Sequence, residues 1–291
     1  MGKRYVRPLL PLIPPVFTKE EILENEWIAG LTDGDGYLNI TGNRCNFEVT
    51  QAQHNIHLLE FLKSKFGGRI WQQKRSVLKG GMTFYYRVTA KEPMIKLAFM
   101  LNGNIRGTSR NEQFQRLCKL LNITYIPPVV LTKESGWYAG MFDADGSISF
   151  HFNEKRFTCL EVSSKYAADV EFYLNDFGGR VRKCGPNIFY WVVTSKAEIL
   201  PFNNYLKHLP LRSNKKVRVN MVDEYYELSK KWPLRKNSPY YQEWLALRER
   251  WFDNGADIYR KDCVERPFTT KGREERKRIK RLEGESSHRD Q

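Results

Sequence analysis

Apolar and polar positions follow the same order in two halves of the chain. In the first half an apolar stretch at residues 27–31 runs into acidic residues and a glycine, and residues 37–41 and 46–51 then alternate between apolar and polar side chains. Residues 137–163 repeat this order. An apolar stretch with small residues predicts a helix, and alternation with a period of two predicts strands with one face on a core.

The repeat continues beyond the first hairpin of each half. A helical segment follows, then a Phe-Gly-Gly-Arg breaker, and then a second hairpin that closes with residues 84–91 or 189–196. The remaining helices are predicted at residues 56–65, 93–100 and 111–121 in the first half and at 167–176, 197–208 and 215–230 in the second. The sequence therefore predicts an α+β fold of two pseudo-symmetric α-β-β-α-β-β-α halves, each with a four-stranded antiparallel sheet, packed through their first helices.

The first helices of the two halves are predicted to differ in length. Thr18 and Glu21 form a capping-box pattern, which starts the first helix directly after Thr18. In the corresponding segment of the second half, Thr132 lies eight residues before Gly140, whereas Thr18 lies 12 residues before Gly30. The first helix is therefore predicted to be longer by four residues, which is about one turn.

The chain divides into two halves and a C-terminal extension. Trp244, Leu247 and Trp251 predict an amphipathic helix at residues 239–252, docked on the core. A basic run near the C-terminus is typical of a solvated, disordered tail. The predicted bounds are 1–121 for the N-terminal half, 122–130 for a linker, 131–232 for the C-terminal half, 233–262 for a helical extension and 263–291 for the tail.

Two aspartates and a glycine end the apolar stretch in both halves, as Asp33-Gly-Asp35-Gly and Asp143-Ala-Asp145-Gly. Carboxylates at a helix C-terminus are locally unfavourable, because the macrodipole leaves partial negative charge there. For one copy alone, a helix cap that turns into a strand explains them. A calcium loop is a weaker alternative, because Tyr37 and Leu38 occupy positions where that loop needs an oxygen ligand and a glycine. The duplication argues against simple capping.

Small residues next to the acids indicate how the two copies meet. Gly30 and Gly140 each cost a helix about 1 kcal/mol relative to alanine, but they allow another backbone to approach closely. Helices packed through these glycines would bring the acids of both copies together. Such an oxygen-rich site suits Mg²⁺ or Ca²⁺, and two such sites can stabilise the attacking and leaving oxygens in phosphodiester hydrolysis.

Residues 28–36 and 138–146 resemble the paired motifs of the LAGLIDADG homing endonucleases, in their single-chain, two-motif form. Ile28 and Tyr138 replace the first leucine of the motif, while the small pair and both aspartates remain. The resemblance covers about residues 14–230. It implies a metal-dependent nuclease built from two related halves.

The resemblance also implies the metal site and its surroundings. Two or three Mg²⁺ ions are expected between the motif aspartates, and Ca²⁺ is expected to bind without supporting cleavage. Asp33 and Asp143 match positions that cap or brace the helix ends. The implied metal ligands are the carboxylates of Asp35 and Asp145 and the main-chain carbonyls of Gly34 and Ala144.

Further matches lie around the expected scissile phosphate. Gln51 matches a polar residue that organises water, with Ser164 as its counterpart in the second half. Lys215 matches a basic residue near the phosphate, with Arg110 as its partner. A phosphate anchor at the start of a helix remains the alternative for Lys215.

Composition supports a polyanionic partner. The formal charge is +15 with a pI near 9.5, which favours nucleic acid or an anionic membrane surface. No apolar run approaches the roughly 18 residues that span a bilayer, and prolines interrupt the apolar N-terminus, which makes it a poor signal peptide. Five widely spaced cysteines without a CxxC pair argue against zinc fingers and a disulfide framework, and favour an intracellular protein.

The polar face of each predicted sheet is the candidate DNA-binding surface, since a two-stranded ribbon fits the major groove. Taken singly, each of these side chains is more typical of an ordinary solvated strand face, whereas the whole set, on a chain with a net charge of +15, favours contact with DNA. The candidates are Asn39, Thr41, Arg44, Asn46, Glu48, Arg69, Gln72, Lys74 and Arg87, followed by Ser147, Ser149, His151, Asn153, Arg156, Glu161, Arg180, Arg182 and Lys183.

The resulting hypothesis is a monomeric, intron-encoded endonuclease that hydrolyses both strands of a long pseudo-palindromic DNA site and leaves short 3′ overhangs. An organellar gene, most often mitochondrial, is the family-level expectation. No protein-splicing block is visible and the chain starts at Met1, which favours a free enzyme. Alternatives are an RNA maturase that binds its host intron, and a DNA-binding regulator without catalysis. The paired acids favour the nuclease.

Overall fold

The computed structural model describes residues 12–73, 82–150, 158–209, 211–231 and 237–253. The two halves share the predicted element order. The first contains α1 (Lys19–Asp35), β1 (Gly36–Thr41), β2 (Arg44–Ala52), α2 (Ile56–Phe66), β3 (Arg69–Gln72), β4 (Thr83–Val88), α3 (Lys91–Leu101) and α4 (Thr108–Leu121). The second contains α5 (Trp137–Asp145), β5 (Gly146–Phe150), β6 (Thr158–Ser164), α6 (Ala168–Phe177), β7 (Arg180–Lys183), β8 (Phe189–Val193), α7 (Lys196–His208) and α8 (Lys215–Ser229), and α9 (Pro239–Asp253) follows.

Each half has one four-stranded antiparallel sheet, which confirms the predicted α+β fold. The strand orders are β1-β2-β4-β3 and β5-β6-β8-β7. Both predicted breakers turn through paired glycines with positive φ, for example 69° at Gly67 and 83° at Gly68. Only glycine adopts such angles without a steric penalty, which explains why the same dipeptide stands between helix and strand in both halves.

Helices α1 and α5 pack side by side and form the centre of the molecule. A Cβ added at Gly30 would lie 2.1 Å from the carbonyl oxygen of Trp137, and one added at Gly140 would lie 2.0 Å from that of Trp27. Both tryptophans are fully buried. The predicted close approach through the motif glycines is therefore confirmed, and each helix has its glycine against the start of the other motif.

The predicted difference in helix length is wrong. Helix α1 has 17 residues and begins with the predicted capping box, whereas α5 has nine. The chain before α5 forms a turn in which the amide of Ser135 donates to Thr132, and it then passes against α1. A Cβ at Gly136 would lie 2.3 Å from the carbonyl oxygen of Leu23. This contact delays the start of the second helix.

Helix α9 packs on the second half, as predicted. Trp244, Leu247 and Trp251 are buried, and the Trp251 ring stacks on Phe150 with centroids 4.0 Å apart. Residues 254–291, which include the predicted tail, lie outside the described residues. Among the helices that the structure describes, none is long and apolar enough to cross a membrane.

Candidate active site

The second aspartate of each motif lies where α1 and α5 end side by side. A Cβ added at Gly34 would lie 2.4 Å from the Ala144 Cβ and 2.9 Å from Oδ2 of Asp145. Burial, reinforced by the charge of Asp35, raises the pKa of Asp145 to about 7. Burial also raises the pKa of Asp35, against the opposing effect of the Lys215 charge. Two carboxylates from different halves therefore share one weakly solvated site.

The first aspartate of each motif braces the opposite half. Asp33 accepts a hydrogen bond from the indole Nε1 of Trp137 at 2.8 Å, and Asp143 accepts one from that of Trp27 at 2.8 Å. Burial raises the pKa of Asp33 to about 6, although its hydrogen bonds lower it. The two contacts cross the interface in opposite directions, so that each motif is held by the residue that opens the other.

The same two aspartates also hold the loops before α4 and α8. Asp33 accepts from the amide of Arg106 at 3.0 Å, and Asp143 accepts from that of Arg212 at 2.7 Å. The Arg212 guanidinium lies 4.8 Å from the Trp27 ring centroid, and that of Arg106 lies 5.3 Å from that of Trp137. Sequence reasoning missed these tryptophans and arginines, although a tryptophan opens both motif copies.

Gln51 connects Asp35 to the second half. Its Nε2 donates to Oδ2 of Asp35 at 2.5 Å, and its Oε1 accepts from Asn55 at 3.3 Å. Oδ1 of Asn55 in turn accepts from the amide of Asn214 at 3.0 Å. Gln51, which was expected to organise water, therefore contacts the candidate metal ligand Asp35 directly. The hydrogen bond from Asn55 fixes the orientation of the Gln51 side chain.

Lys215 lies against the end of α5. Its ammonium donates to the carbonyl oxygens of Phe142 at 2.9 Å, Asp143 at 2.8 Å and Ala144 at 2.9 Å. Burial lowers the pKa of Lys215, and the surrounding carboxylates oppose this effect. The ammonium thus compensates the negative end of the helix dipole, and it occupies the Ala144 carbonyl that the family resemblance assigns to the metal.

Ser164 has different partners from Gln51. Its hydroxyl donates to Oδ2 of Asp169 at 3.0 Å, and Oδ1 of Asp169 accepts from the amide and the hydroxyl of Thr108 at 2.8 and 2.6 Å. A cavity of about 510 Å³ opens here. It is lined by Asp33, Gly34, Ser109, Arg110, Asp145, Ser163, Ser164, Lys165, Tyr166, Asp169, Asn187, Ile188 and Tyr190.

Arg110 was expected to be the first-half equivalent of Lys215, but the equivalent position lies one residue earlier in the chain. The amides of Arg106 and Arg212 occupy equivalent places on the two bracing aspartates. Counting from these arginines, the position equivalent to Lys215 is Ser109, which cannot compensate the end of α1 with a charge. Arg110 instead lines the cavity, and its charge opposes the rise in the pKa of Asp145.

The outward sheet faces carry most of the predicted DNA-contact residues. In the first sheet Glu48 pairs with Arg87, which pairs with Arg69. In the second Ser147 pairs with Glu161, which forms an ion pair with Arg182 at 3.0 Å. By register, the outward faces contain Asn39, Thr41, Arg44, Asn46, Glu48, Arg69 and Arg87 in one sheet and Ser147, Ser149, Glu161, Arg180 and Arg182 in the other.

The predicted face is wrong for Gln72 and Lys183. Gln72 pairs with Phe84 and Lys183 with Phe189, which places both on the opposite face from the neighbouring arginines. Successive side chains of a strand point to opposite faces. Gln72 lies an odd number of residues from Arg69, and Lys183 lies an odd number from Arg180, so neither shares the face of its arginine. Four further candidates lie outside the described residues, namely Lys74, His151, Asn153 and Arg156.

The donor set at the paired acids fits a hard divalent cation. Within the described residues no cluster of three or more His, Cys, Asp or Glu side chains could hold a metal. A cation between Asp35 and Asp145 would therefore complete its oxygen shell with main-chain carbonyls, water or a phosphate. Mg²⁺ and Ca²⁺ accept such mixed oxygen ligands, and a positive charge would offset the burial and the Asp35 charge that together raise the pKa of Asp145.

The sequence model described as LAGLIDADG endonuclease matches residues 28–121. The chain is 36% identical over 249 residues to the intron-encoded RNA maturase bI4 of Saccharomyces cerevisiae, which covers 82% of this chain and 38% of the maturase. It is 26% identical over 271 residues to the intron-encoded DNA endonuclease ai2a of Dictyostelium discoideum, which covers 89% of this chain and 84% of that protein. The chain thus spans little more than a third of the maturase.

The solved structures that resemble this chain include the LAGLIDADG homing endonuclease I-SmaMI bound to cleaved DNA. The TM-score is 0.53 at 18% identity, and the match covers 79% of this chain and 97% of that chain. At this identity the likeness demonstrates the fold, with its two halves and two sheets.

Proposed function

The chain belongs to the LAGLIDADG endonuclease family, and we propose that it is an intron-encoded, sequence-specific endonuclease that hydrolyses both strands of double-stranded DNA. The observation that carries the proposal is the pair Asp35 and Asp145, one from each half, at the shared end of α1 and α5. Binding to a nucleic acid alone gives no physical reason to place two half-buried carboxylates together, because their repulsion costs free energy.

The proposed DNA-binding surface is the outward face of the two sheets. Arg69 and Arg87 in the first sheet and Arg180 and Arg182 in the second provide positive charge for phosphates, while neighbouring Asn and Ser side chains provide donors and acceptors for base edges. The formal charge of +15 strengthens the attraction. Because both halves lie in one chain and differ in sequence, we propose a monomer that binds a long, pseudo-palindromic site.

In the proposed reaction a water oxygen bonds to phosphorus while the bond from phosphorus to the leaving sugar oxygen breaks. One proton leaves the water and one is taken up by the leaving oxygen, without oxidation or reduction. Bound Mg²⁺ would supply positive charge to the attacking and leaving oxygens. We assign its binding to Asp35, Asp145 and the Gly34 carbonyl, with two or three ions in total, and we propose that Ca²⁺ binds without supporting cleavage.

The chain's own residues hold this arrangement in place. Gln51 fixes the Asp35 carboxylate through its 2.5 Å hydrogen bond. Lys215 fixes the last turn of α5, and therefore the direction of Asp145, through three carbonyls. Arg110 lines the cavity beside Asp145 and attracts a phosphate there. Cuts on both strands across the minor groove would leave the expected short 3′ overhangs.

The decisive experiment is cleavage of a library of intron-insertion and randomised DNA junctions with Mg²⁺, with EDTA as the metal-free control. The Asp35→Asn/Asp145→Asn double variant tests the site, and Glu60→Gln, at an exposed acid of α2, is the matched control. We expect metal-dependent cutting at one long site by the wild type and Glu60→Gln. The double variant should bind that site without cutting, and wild-type cutting by it would refute the assignment.

An RNA maturase is the second candidate, because the maturase of S. cerevisiae is 36% identical to this chain. We infer from the intron-encoded relatives that the gene lies in an organellar intron, and we propose that this organelle is the mitochondrion. Binding of host intron RNA with stimulation of its splicing, unaffected by Asp35→Asn and Asp145→Asn, would establish the maturase function. Absence of DNA cleavage alongside that result would replace the endonuclease proposal.

A further inference from the structure

Two aromatic rings interrupt the polar pattern on the outward face of the first sheet. Trp71 lies two residues from Arg69 on β3, so the two share a face of the sheet. Tyr85 lies on the same face, because the register pairs it with Trp71, and the two rings stack with centroids 5.2 Å apart. Ile70 and Phe84, on the opposite face, pack against the core. Trp71 is 38% exposed, so a large apolar ring faces solvent where a polar side chain is usual.

Two arginines border the stacked rings. The Arg87 guanidinium lies 5.7 Å from the Tyr85 ring centroid and forms an ion pair with Glu48 at 2.9 Å. Arg69 is the register partner of Arg87 on β3. An apolar patch inside a basic surface suits the major groove of DNA, where phosphates border the exposed edges of the bases.

The stack provides apolar contact area, and the major groove contains one exposed apolar group. The edges of adenine, guanine and cytosine present hydrogen-bond donors and acceptors there, whereas thymine also presents its C5-methyl group. Ring carbons cannot replace the hydrogen bonds that a polar base edge makes with water, so burying such an edge against them costs free energy. A methyl group has no such bonds to lose and is stabilised when it leaves water.

The equivalent position of the second sheet carries a charge. Arg182 follows the second Gly-Gly-Arg breaker at the same distance at which Trp71 follows the first. Arg182 is the register partner of Tyr190, and its guanidinium lies 5.4 Å from that ring centroid. The second sheet therefore forms without an indole at this place, so the stabilisation that aromatic pairs give a sheet does not by itself explain Trp71.

From these contacts we infer that Trp71 and Tyr85 select part of the target sequence by packing on the C5-methyl group of thymine. Thr50 is the register partner of Tyr85 and precedes Gln51, which contacts Asp35. Trp71 lies two strands from Thr50, on the order of 10 Å, so the thymine is expected a few base pairs away from the cut. The inference rests on the proposed endonuclease function and adds base selection to it.

Deoxyuridine, which lacks the C5-methyl group, tests this contact in the selected site. Each thymine is replaced in turn, and binding is measured by fluorescence anisotropy with EDTA to prevent cutting. One or two replacements should weaken wild-type binding about fourfold for each methyl group lost. Trp71→Ala should bind the thymine site more weakly and should not distinguish thymine from deoxyuridine at those positions. Gln72→Ala, on the opposite face of the same strand, should keep the wild-type pattern.

Urea unfolding of Trp71→Ala separates base selection from sheet stability. A merely structural stack predicts a lower free energy of unfolding with an unchanged response to deoxyuridine, and that result would overturn the inference. Equal binding of the thymine and deoxyuridine sites by the wild type would also overturn it. A third contrary result is a Trp71→Ala defect confined to single-stranded RNA, because the rings would then stack on unpaired bases.

Trp71→Arg keeps the test decisive if Trp71→Ala does not fold. This change gives the first sheet the Arg–Tyr pair with which the second sheet already forms. The variant should lose the response to deoxyuridine and should prefer guanine at that position in a repeated selection, because arginine donates to O6 and N7 of guanine. Retained preference for thymine would contradict the inference.

The outcomes also separate this inference from the proposed function. Cutting at one long site without any thymine whose methyl group depends on Trp71 would reject the inference and leave the endonuclease function intact. No cutting of any library member would reject the endonuclease function, and deoxyuridine replacement in a site selected by binding alone would still decide whether Trp71 contacts a methyl group.

Discussion

The two halves of the molecule match where they hold each other and differ where they face the cavity. The crossed Trp–Asp hydrogen bonds are both 2.8 Å long, and the two motif glycines approach the opposite helix to nearly the same distance. Beside the second aspartates, however, Gln51 stands where the second half has Ser164, and Lys215 where the first half has Ser109.

The interface between the halves and the surroundings of the second aspartates are under different structural constraints. A pseudo-twofold interface uses the same contact twice, so a change on one side disturbs both halves. The site beside the acids has no such constraint, because each half would contact its own part of the proposed DNA ligand. Symmetry is therefore retained in the packing and lost in the surroundings of the acids, and four comparisons between matched positions can test this.

The largest effect is expected at the glycine contact. Gly30→Leu places a side chain where even a Cβ lies 2.1 Å from a backbone oxygen, so it should cost more than the about 1–3 kcal/mol of ordinary overpacking. Gly42→Ala is the comparison, because a Cβ there meets nothing within 4 Å and only its positive φ is strained. In urea unfolding, Gly42→Ala should lose much less free energy of unfolding than Gly30→Leu. Similar losses in the two variants would argue against the tight interface.

A smaller and equal pair of effects is expected at the tryptophans. Trp27→Phe and Trp137→Phe each remove an N–H group from a buried carboxylate, which should lower the free energy of unfolding by about 1–3 kcal/mol. Both aspartates keep main-chain donors after the change, at Arg212 and Arg106. The two variants should agree within about 0.5 kcal/mol, and a clear inequality would show that the interface is not symmetric.

Sequence was sufficient for the features that local pattern determines. The capping box at Thr18 and the paired glycines after α2 and α6 were both recognisable from a few neighbouring residues. Duplication then fixed the topology, because a pattern found twice implied two equal sheets. The close approach at Gly30 followed from the cost of a glycine inside a helix.

Sequence was insufficient for contacts between distant residues. The Trp27–Asp143 and Trp137–Asp33 bonds join residues 116 and 104 positions apart, and no local pattern distinguishes them from ordinary core tryptophans. The three carbonyls bound by Lys215 lie 73, 72 and 71 positions from it in sequence. The face of Gln72 depended on strand register, in which an error of one residue reverses every side chain.

The next comparison concerns the unequal positions. Lys215→Met removes the ammonium from three carbonyls at the end of α5, and it should lower the free energy of unfolding by about 1–2 kcal/mol, since buried acceptors lose their donor. Ser109→Ala, at the equivalent place, should change it by less than about 0.5 kcal/mol. Thermal unfolding of both variants measures the difference. Equal effects would mean that Lys215 does not stabilise its helix end.

The smallest effect is expected on the sheet surface, where Arg180 and Lys183 belong to the same strand but opposite faces. Arg180→Ala and Lys183→Ala each remove one positive charge, so the non-specific attraction to DNA should weaken equally in the two variants. Only Arg180 lies on the face proposed to contact DNA, and its loss should weaken binding several-fold and lower the salt dependence by about one phosphate contact. Fluorescence anisotropy at several salt concentrations separates the two. If Lys183→Ala weakens binding as much as Arg180→Ala, net charge rather than the outward face determines the affinity.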